Sequence, residues 1–401
     1  MTARLVTVIL GVLLLPVILI AQSDTDRFVM RMKQDDKNGD GKLTLAEFTG
    51  PKRLFEKLDD DGDGVLLLSE NTAQKLREVR ARAGTRSAPE LENAERRIQM
   101  ETTRSRAAGM RGGARQRPQP DHQNVRYGEH ERHVLDVYLA ETENNKPAPC
   151  MIWIHGGGFR RGDKSEGSMF SSFFTQNGIH YVTLNYRFSQ HEIAPACFHD
   201  CARALQFLRR NAETWNIDTK RIAIGGGSAG AGLAQWLAYS PDRANPTAQD
   251  PVMRESTRVS ALILLNAQTS YDFRWIKQHI PGDAWMGEGL QQLFGYTIED
   301  VDELNDKQLR TIEECSPLTH FSGDDPPTLL FYRRSRDPQI AVQNPMDGIH
   351  HPLFGLELEE RADKWGVPCE VFTVETPKDR IFYNNRWDYA VEFLEKHFQM
   401  K

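Results

Sequence analysis

Residues 221–225 (RIAIG) read as a short apolar strand that runs directly into Gly226-Gly227-Ser228-Ala229-Gly230, after which a helical pattern begins. A serine flanked by glycines at such a junction is a G-x-S-x-G elbow. The turn is sharp and strained, side chains beside the serine have no room, and the hydroxyl stands exposed above the end of a sheet. Few folds can supply that junction, because it needs a buried strand, a helix packed back on it and an open space beyond the strand end.

The surrounding pattern supplies all three. Residues 125–139 show extended patterns around polar residues, as in a hairpin. Strand patterns then appear at 150–155, 181–186 and 221–225, with helix patterns at 169–176 and 196–213 between them. The alternation implies an α/β domain over residues 124–401, with a mostly parallel central sheet covered by helices on both faces and ligands at the carboxyl ends of the strands. With 401 residues and 39% hydrophobic content, the chain can bury one substantial core and carry attachments to it.

The strand at 150–155 leads into His155-Gly156-Gly157-Gly158-Phe159. Glycines at a strand end let backbone N–H groups approach a ligand closely, which is what stabilising an oxyanion requires. The candidate donors are Gly157, Gly158 and Ala229, with Ser228 as nucleophile. Either motif alone also suits phosphate binding; the two together, about seventy residues apart and in this order, are specific to acyl transfer.

With these motifs, residues 125–401 resemble the hormone-sensitive-lipase-like carboxylesterases, including small secreted relatives that deacylate carbohydrates. Leu135-Asp136-Val137-Tyr138, Asn185-Tyr186-Arg187, Trp215-Asn216-Ile217-Asp218 and Ser316-Pro317 extend the likeness. The resemblance implies an α/β-hydrolase fold, hydrolysis of short acyl or carbohydrate esters, and a serine, an acid and a histidine in that chain order. The acid should follow the strand at 328–332. Asp337 lies at the right distance from that strand, whereas counting back from Gly366 selects Asp347, and both stand as candidates. After the last strand, at 369–374, the histidine slot holds Arg380. Arginine stays protonated and cannot accept a proton from serine, so the base must come from elsewhere, and His350 and His351 in the long loop after the acid strand are the candidates. His155 is expected to orient the glycine loop; His199, His320 and His397 are not expected to act as bases. The segment 271–315, with Trp275, Trp285, Phe294 and Tyr296, is expected to cap the pocket.

Ahead of this domain, residues 36–47 fit the twelve-residue EF-hand loop. Asp36, Asn38 and Asp40 supply side-chain oxygens, Gly41 the turn, Lys42 a backbone carbonyl and Glu47 two closing oxygens. A second loop repeats this with Asp59, Asp61, Asp63, Val65 and Glu70, and with Gly64 at the turn. Leu43 and Leu66 can pair the loops through a short strand contact. A small helical EF-hand pair over 24–71 is therefore expected to bind Ca2+, as a structural clamp rather than a switch.

Residues 5–20 are almost wholly apolar, follow one basic residue and lead into Ala21-Gln22-Ser23. They read as a signal peptide over 1–23, which implies a secreted or periplasmic protein; a membrane partner follows only if the segment stays uncleaved as an anchor. Residues 72–123 read as a basic helix followed by a linker, with twelve Lys or Arg against five Glu between Lys75 and Arg117. No aromatics interleave with those charges and the overall net charge is −6, so no nucleic-acid partner is expected. The five cysteines are odd in number and scattered, which specifies no disulfide scaffold. Cys197 and Cys201, four apart on a helix pattern, read as packing residues. The alternative function is a degenerate hydrolase-fold, calcium-binding protein active in binding or adhesion, which Arg380 motivates.

Overall fold

The computed structural model describes residues 36, 38–44, 47, 63–67, 117–142, 146–335, 342, 345–375, 379 and 383–400. The signal segment, the basic helix and most of the linker lie outside these residues, as do Asp59, Asp61, Glu70, Asp337 and Arg380. The chain divides into two compact units, Met1–Ala114 and Arg115–Lys401.

In the first unit, β1 (Lys42–Thr44) and β2 (Val65–Leu67) pair antiparallel with Leu43 opposite Leu66, and both leucines are buried. Gly41 and Gly64, at the sixth loop positions, have φ of 75° and 78°, the left-handed turn that glycine adopts without strain. Asp36 accepts hydrogen bonds from the Gly39 and Gly41 N–H groups at 2.8 and 2.9 Å. Glu47 Oε1 accepts from Asn38 Nδ2 at 2.9 Å, so the third and twelfth positions meet across the loop. Among the described residues, no three His, Cys, Asp or Glu side chains are grouped as a metal site.

The second unit contains β3 (His122–Arg126), β4 (Val134–Tyr138), β5 (Ala148–Ile154), β6 (His180–Leu184), β7 (Ile217–Gly227), β8 (Ala261–Leu265), β9 (Thr328–Phe331) and β10 (Cys369–Phe372). They form one sheet in the order β3-β4-β6-β5-β7-β8-β9-β10. The β3–β4 and β4–β6 pairings are antiparallel and the rest parallel. The unit starts earlier than the expected boundary at 124: Arg117 Nη1 already donates to Ser165 at 3.2 Å.

All seven residues of β5 are buried, as a central parallel strand requires. The two-residue repeat splits them between two cores. Cys150, Ile152 and Ile154 join Ile222, Ile224, Leu262 and Leu264 beneath α2 (Ala196–Arg210) and α3 (Ala229–Tyr239). Met151 and Trp153 join Ile263, Phe331 and Trp387 on the opposite face, which α1 (Ser171–Thr175) and α10 (Arg386–His397) cover. The remaining helices are α4 (Phe273–His279), α5 (Glu288–Phe294), α6 (Asp306–Cys315), α7 (Pro317–His320), α8 (Pro345–Ile349) and α9 (Leu353–Trp365). All five cysteines are buried free thiols, and Cys197 and Cys201 pack in the α2 core. No helix among the described residues is long and apolar enough to cross a membrane.

Candidate active site

The carboxyl ends of β5, β7, β8 and β9 converge on one edge of the sheet, and Ser228 stands there between β7 and α3. Its backbone, at φ 51° and ψ −120°, lies in a region that costs a non-glycine residue about 1–3 kcal/mol. Neighbouring bonds hold it: the Ser228 N–H donates to Leu265 O at 2.8 Å, and Gly232 N–H donates to Ser228 O at 3.1 Å. The turn is tight enough that a Cβ on Gly230 would sit 2.2 Å from Ile154 O, so the elbow and the end of β5 can cross only with glycine there.

Ser228 Oγ lies 2.7 Å from His350 Nε2. With the ring neutral, Nε2 accepts the hydroxyl proton and the ring's own proton sits on Nδ1. His350 follows α8, and the segment is fixed from below: Gln268 Nε2 donates to Ile349 O at 2.9 Å, and Thr269 Oγ1 donates to Phe354 O at 2.9 Å. Burial pushes the His350 pKa down to about 4; Arg334 and Arg333 push the same way, and Asp347 pulls it upward. Asp347, on α8, is ion-paired with Arg334. Thus Ser228 and His350 are in hydrogen-bond contact and Asp347, three residues before His350, acts on the ring through its charge, in the chain order serine, acid, histidine; Asp337 lies outside the described residues.

His351 takes a different place. It is buried, and its Nδ1 accepts from Leu353 N–H at 3.2 Å, which ties it to the start of α9 and not to Ser228. His199 approaches Arg243, His320 contacts Glu314 O, and His397 packs on Phe393 on the sheet's other face.

The glycine loop beyond β5 brings Gly157 to φ +112° and Gly158 to φ +61°. His155 underpins it: Nδ1–H donates to Gly156 O at 2.7 Å, Nε2 accepts from Arg132 Nη2 at 3.3 Å, and the ring stacks on Tyr186 at 4.5 Å. Burial, the main cause, lowers the His155 pKa to about 4, so the ring is neutral and its two roles are fixed. Gly289 on α5 faces the Gly158 carbonyl, and Arg160 pairs with Glu288 at 2.9 Å, so the 271–315 segment packs on this loop. Within it Phe294 and Tyr296 are core residues; Trp275 stacks on His279, and Trp285 lies 4.7 Å from Lys277 Nζ.

One supporting pair was not singled out by sequence. Asp136 and Lys164 form a buried ion pair at 2.7 Å, and Lys164 N–H donates to Asn185 Oδ1 at 2.6 Å, clamping the far end of the glycine loop to β4 and β6. The signal was present as a carboxylate inside an apolar strand, Leu135-Asp136-Val137-Tyr138, which is tolerated only when paired.

The chain is similar to known proteins. The chain is 28% identical over 223 residues to the probable carboxylic ester hydrolase LipM of Mycobacterium tuberculosis, covering 55% of this chain and 49% of that protein. It is 27% identical over 254 residues to an ethyl acetate hydrolase of Pseudomonas putida, covering 58% and 76%. The chain therefore spans about half the length of the first of these relatives. Among solved structures, an acetyl ester-xyloside bifunctional hydrolase from Caldicellulosiruptor lactoaceticus superposes with a TM-score of 0.55 at 20% identity, over 69% of this chain and 97% of that one. That likeness establishes the α/β-hydrolase fold. The BD-FAE family model matches residues 135–347, just over half of the sequence, from β4 through the glycine loop and the Ser228 elbow to Asp347 within α8, and the chain accordingly belongs to the BD-FAE family.

Proposed function

We propose that the protein is a secreted serine carboxylesterase acting on short acyl or acylated-carbohydrate esters, in the manner of the hormone-sensitive-lipase-like enzymes. The observation that carries this is the 2.7 Å contact between Ser228 Oγ and His350 Nε2. Ser228 attacks the ester carbonyl while His350 takes its proton and then returns it to the leaving alcohol; water repeats the sequence to free the acid. Asp347 stabilises the imidazolium that forms. The Gly157, Gly158 and Ala229 N–H groups receive the oxyanion, and one such donor is worth about 2.7–4 kcal/mol in the transition state. The ester homologues support the substrate class.

The two loops of the first unit form an EF-hand pair in this proposal. Their oxygen-only donor set suits a hard cation, and the Leu43–Leu66 pairing with left-handed glycines at both sixth positions supports joint Ca2+ binding. In the first loop Asp36, Asn38, Asp40, Lys42 O and Glu47 would hold the ion, and in the second Asp59, Asp61, Asp63, Val65 O and Glu70. The ion takes no part in ester chemistry. Residues 1–23 act as the export signal.

Purified protein should hydrolyse 4-nitrophenyl acetate and become labelled by a fluorophosphonate, and Ser228→Ala should lose both. Absence of turnover and of labelling in the wild type would end the esterase reading and favour the alternative, a hydrolase fold kept for binding.

A further inference from the structure

The edge of the sheet that carries Ser228 is rich in arginine. Arg333 lies two residues beyond β9; its N–H donates to Asn266 Oδ1 at 3.0 Å, while its exposed side chain has no carboxylate partner among the described residues. Adjacent strands lie about 4.8 Å apart, so Arg333, two strands from Ser228, starts about 10 Å away, within reach of a substrate's flank. Arg334 is neutralised by Asp347. Arg386, at the start of α10, stands 4.6 Å over the Tyr383 ring and donates through Nη1 to Tyr383 O at 2.8 Å, while its buried Nε has no hydrogen-bond partner; Tyr383 also hydrogen-bonds the Asn266 side chain that receives the Arg333 N–H, so the two arginines flank one asparagine. Burial and the charge of Arg333 both hold the Arg386 guanidinium below its ordinary pKa. The Arg333 and Arg386 guanidiniums thus act on one another, and of the three arginines only Arg334 has a carboxylate counter-charge among the described residues, an arrangement that an oxyanion shared between Arg333 and Arg386 would relieve.

We infer that Arg333 and Arg386 form an anion subsite beside the Ser228–His350 pair, and that the preferred substrate is an ester whose sugar carries a carboxylate or a sulfate. The inference rests on the esterase function proposed above. Its catalytic consequence is specific. Arg333 is one of the charges that make His350 a weak base. An anion seated on Arg333 cancels that charge when substrate is bound and brings the base closer to the working pH, where proton transfer is most efficient. Charged substrate therefore gains in kcat as well as KM.

The experiment compares acetate release from three mono-acetylated methyl glycosides: galactoside, galacturonoside and galactoside 6-sulfate. Inorganic sulfate serves as a separate probe of binding by calorimetry. The expected result is about ten-fold or greater preference in kcat/KM for one or both anionic esters at low ionic strength, shrinking as salt screens the contact. The uronoside and sulfate arms tell which anion is used. Arg333→Gln should bring the anionic-to-neutral ratio close to one and weaken sulfate binding, whereas Arg333→Lys should keep part of the preference; an unchanged melting temperature shows that the variants fold. Equal turnover of the three esters, or a ratio that Arg333→Gln leaves intact, overturns the subsite and leaves the esterase function standing. Absence of any turnover together with an unlabelled Ser228 overturns both.

Discussion

His350, the base of the proposed mechanism, is neutral and sits in a place that disfavours its charged form. Burial and the Arg334 and Arg333 charges, only partly offset by Asp347, set its pKa at about 4. Protonation removes the lone pair that Ser228 needs, so kcat/KM for a neutral ester should stay level from pH 8 to about pH 5 and fall with a midpoint near pH 4. A midpoint near 6.5 in the pH–rate profile would mean that the ring is solvated and the site more open than the structure shows. Replacing His350 with Ala should lower kcat by about 10⁴-fold or more, because serine and base act as a unit. His351→Ala should alter melting temperature and spare the chemistry, and the two neighbours are told apart by that split. Asp136 matters through packing. Removing one member of a buried pair leaves the other charge uncompensated, so Asp136→Ala should cost about 3–5 kcal/mol in urea unfolding.

At the level of elements, the β5 and β7 ends were legible because local sequence dictates them. A glycine run after an apolar strand and a glycine-flanked serine before a helix each admit one geometry. The proposed acid and base were not legible in that way. Their segment, α8 and the turn to His350, is positioned by long-range contacts: Gln268 to Ile349 O, Thr269 to Phe354 O, and Gly348 against Ala284 of the cap segment. No periodicity or spacing encodes such contacts, so sequence left Asp337 with Asp347, and His350 with His351. Counting positions after β10 leads to Arg380, whereas the histidine that reaches Ser228 lies between β9 and α9. The β1–β2 pairing is the opposite case, since loop registry alone predicts Leu43 opposite Leu66. In the clamp role proposed for the two loops, Ca2+ should raise the unfolding temperature of the first unit, and a chelator should lower it. Esterase kcat should not change if the pair is a clamp; a kcat that tracks free Ca2+ would make it a regulator instead.

For the whole molecule, the buried histidines determine how it meets acid. The rings of His155, His350 and His397 each have a pKa lowered to about 4, with burial the largest cause in all three. In the unfolded chain a histidine titrates near 6.5. Between about pH 6.5 and pH 4 the unfolded state therefore binds more protons than the folded one, and stability falls as pH falls through that window. The loss begins at the unfolded value and is complete below the folded one. Asp325 opposes it: burial raises its pKa to about 6, so the folded state binds its proton first and gains stability as pH drops from about 6 towards the ordinary carboxylate range. One group pulls against three, and His130, His180, His199 and His351 are lowered as well, so the net effect is destabilising. Melting temperatures at pH 7.5, 5.5 and 4.5 should decline in that order at constant ionic strength. His397→Phe, which removes a titrating ring far from Ser228 but keeps a ring beside Phe393, should flatten the decline without moving the pH–rate midpoint. A melting temperature that holds level from pH 7.5 to 4.5 would mean that these rings reach water in the folded state, contrary to the packing that places His350 against Ser228.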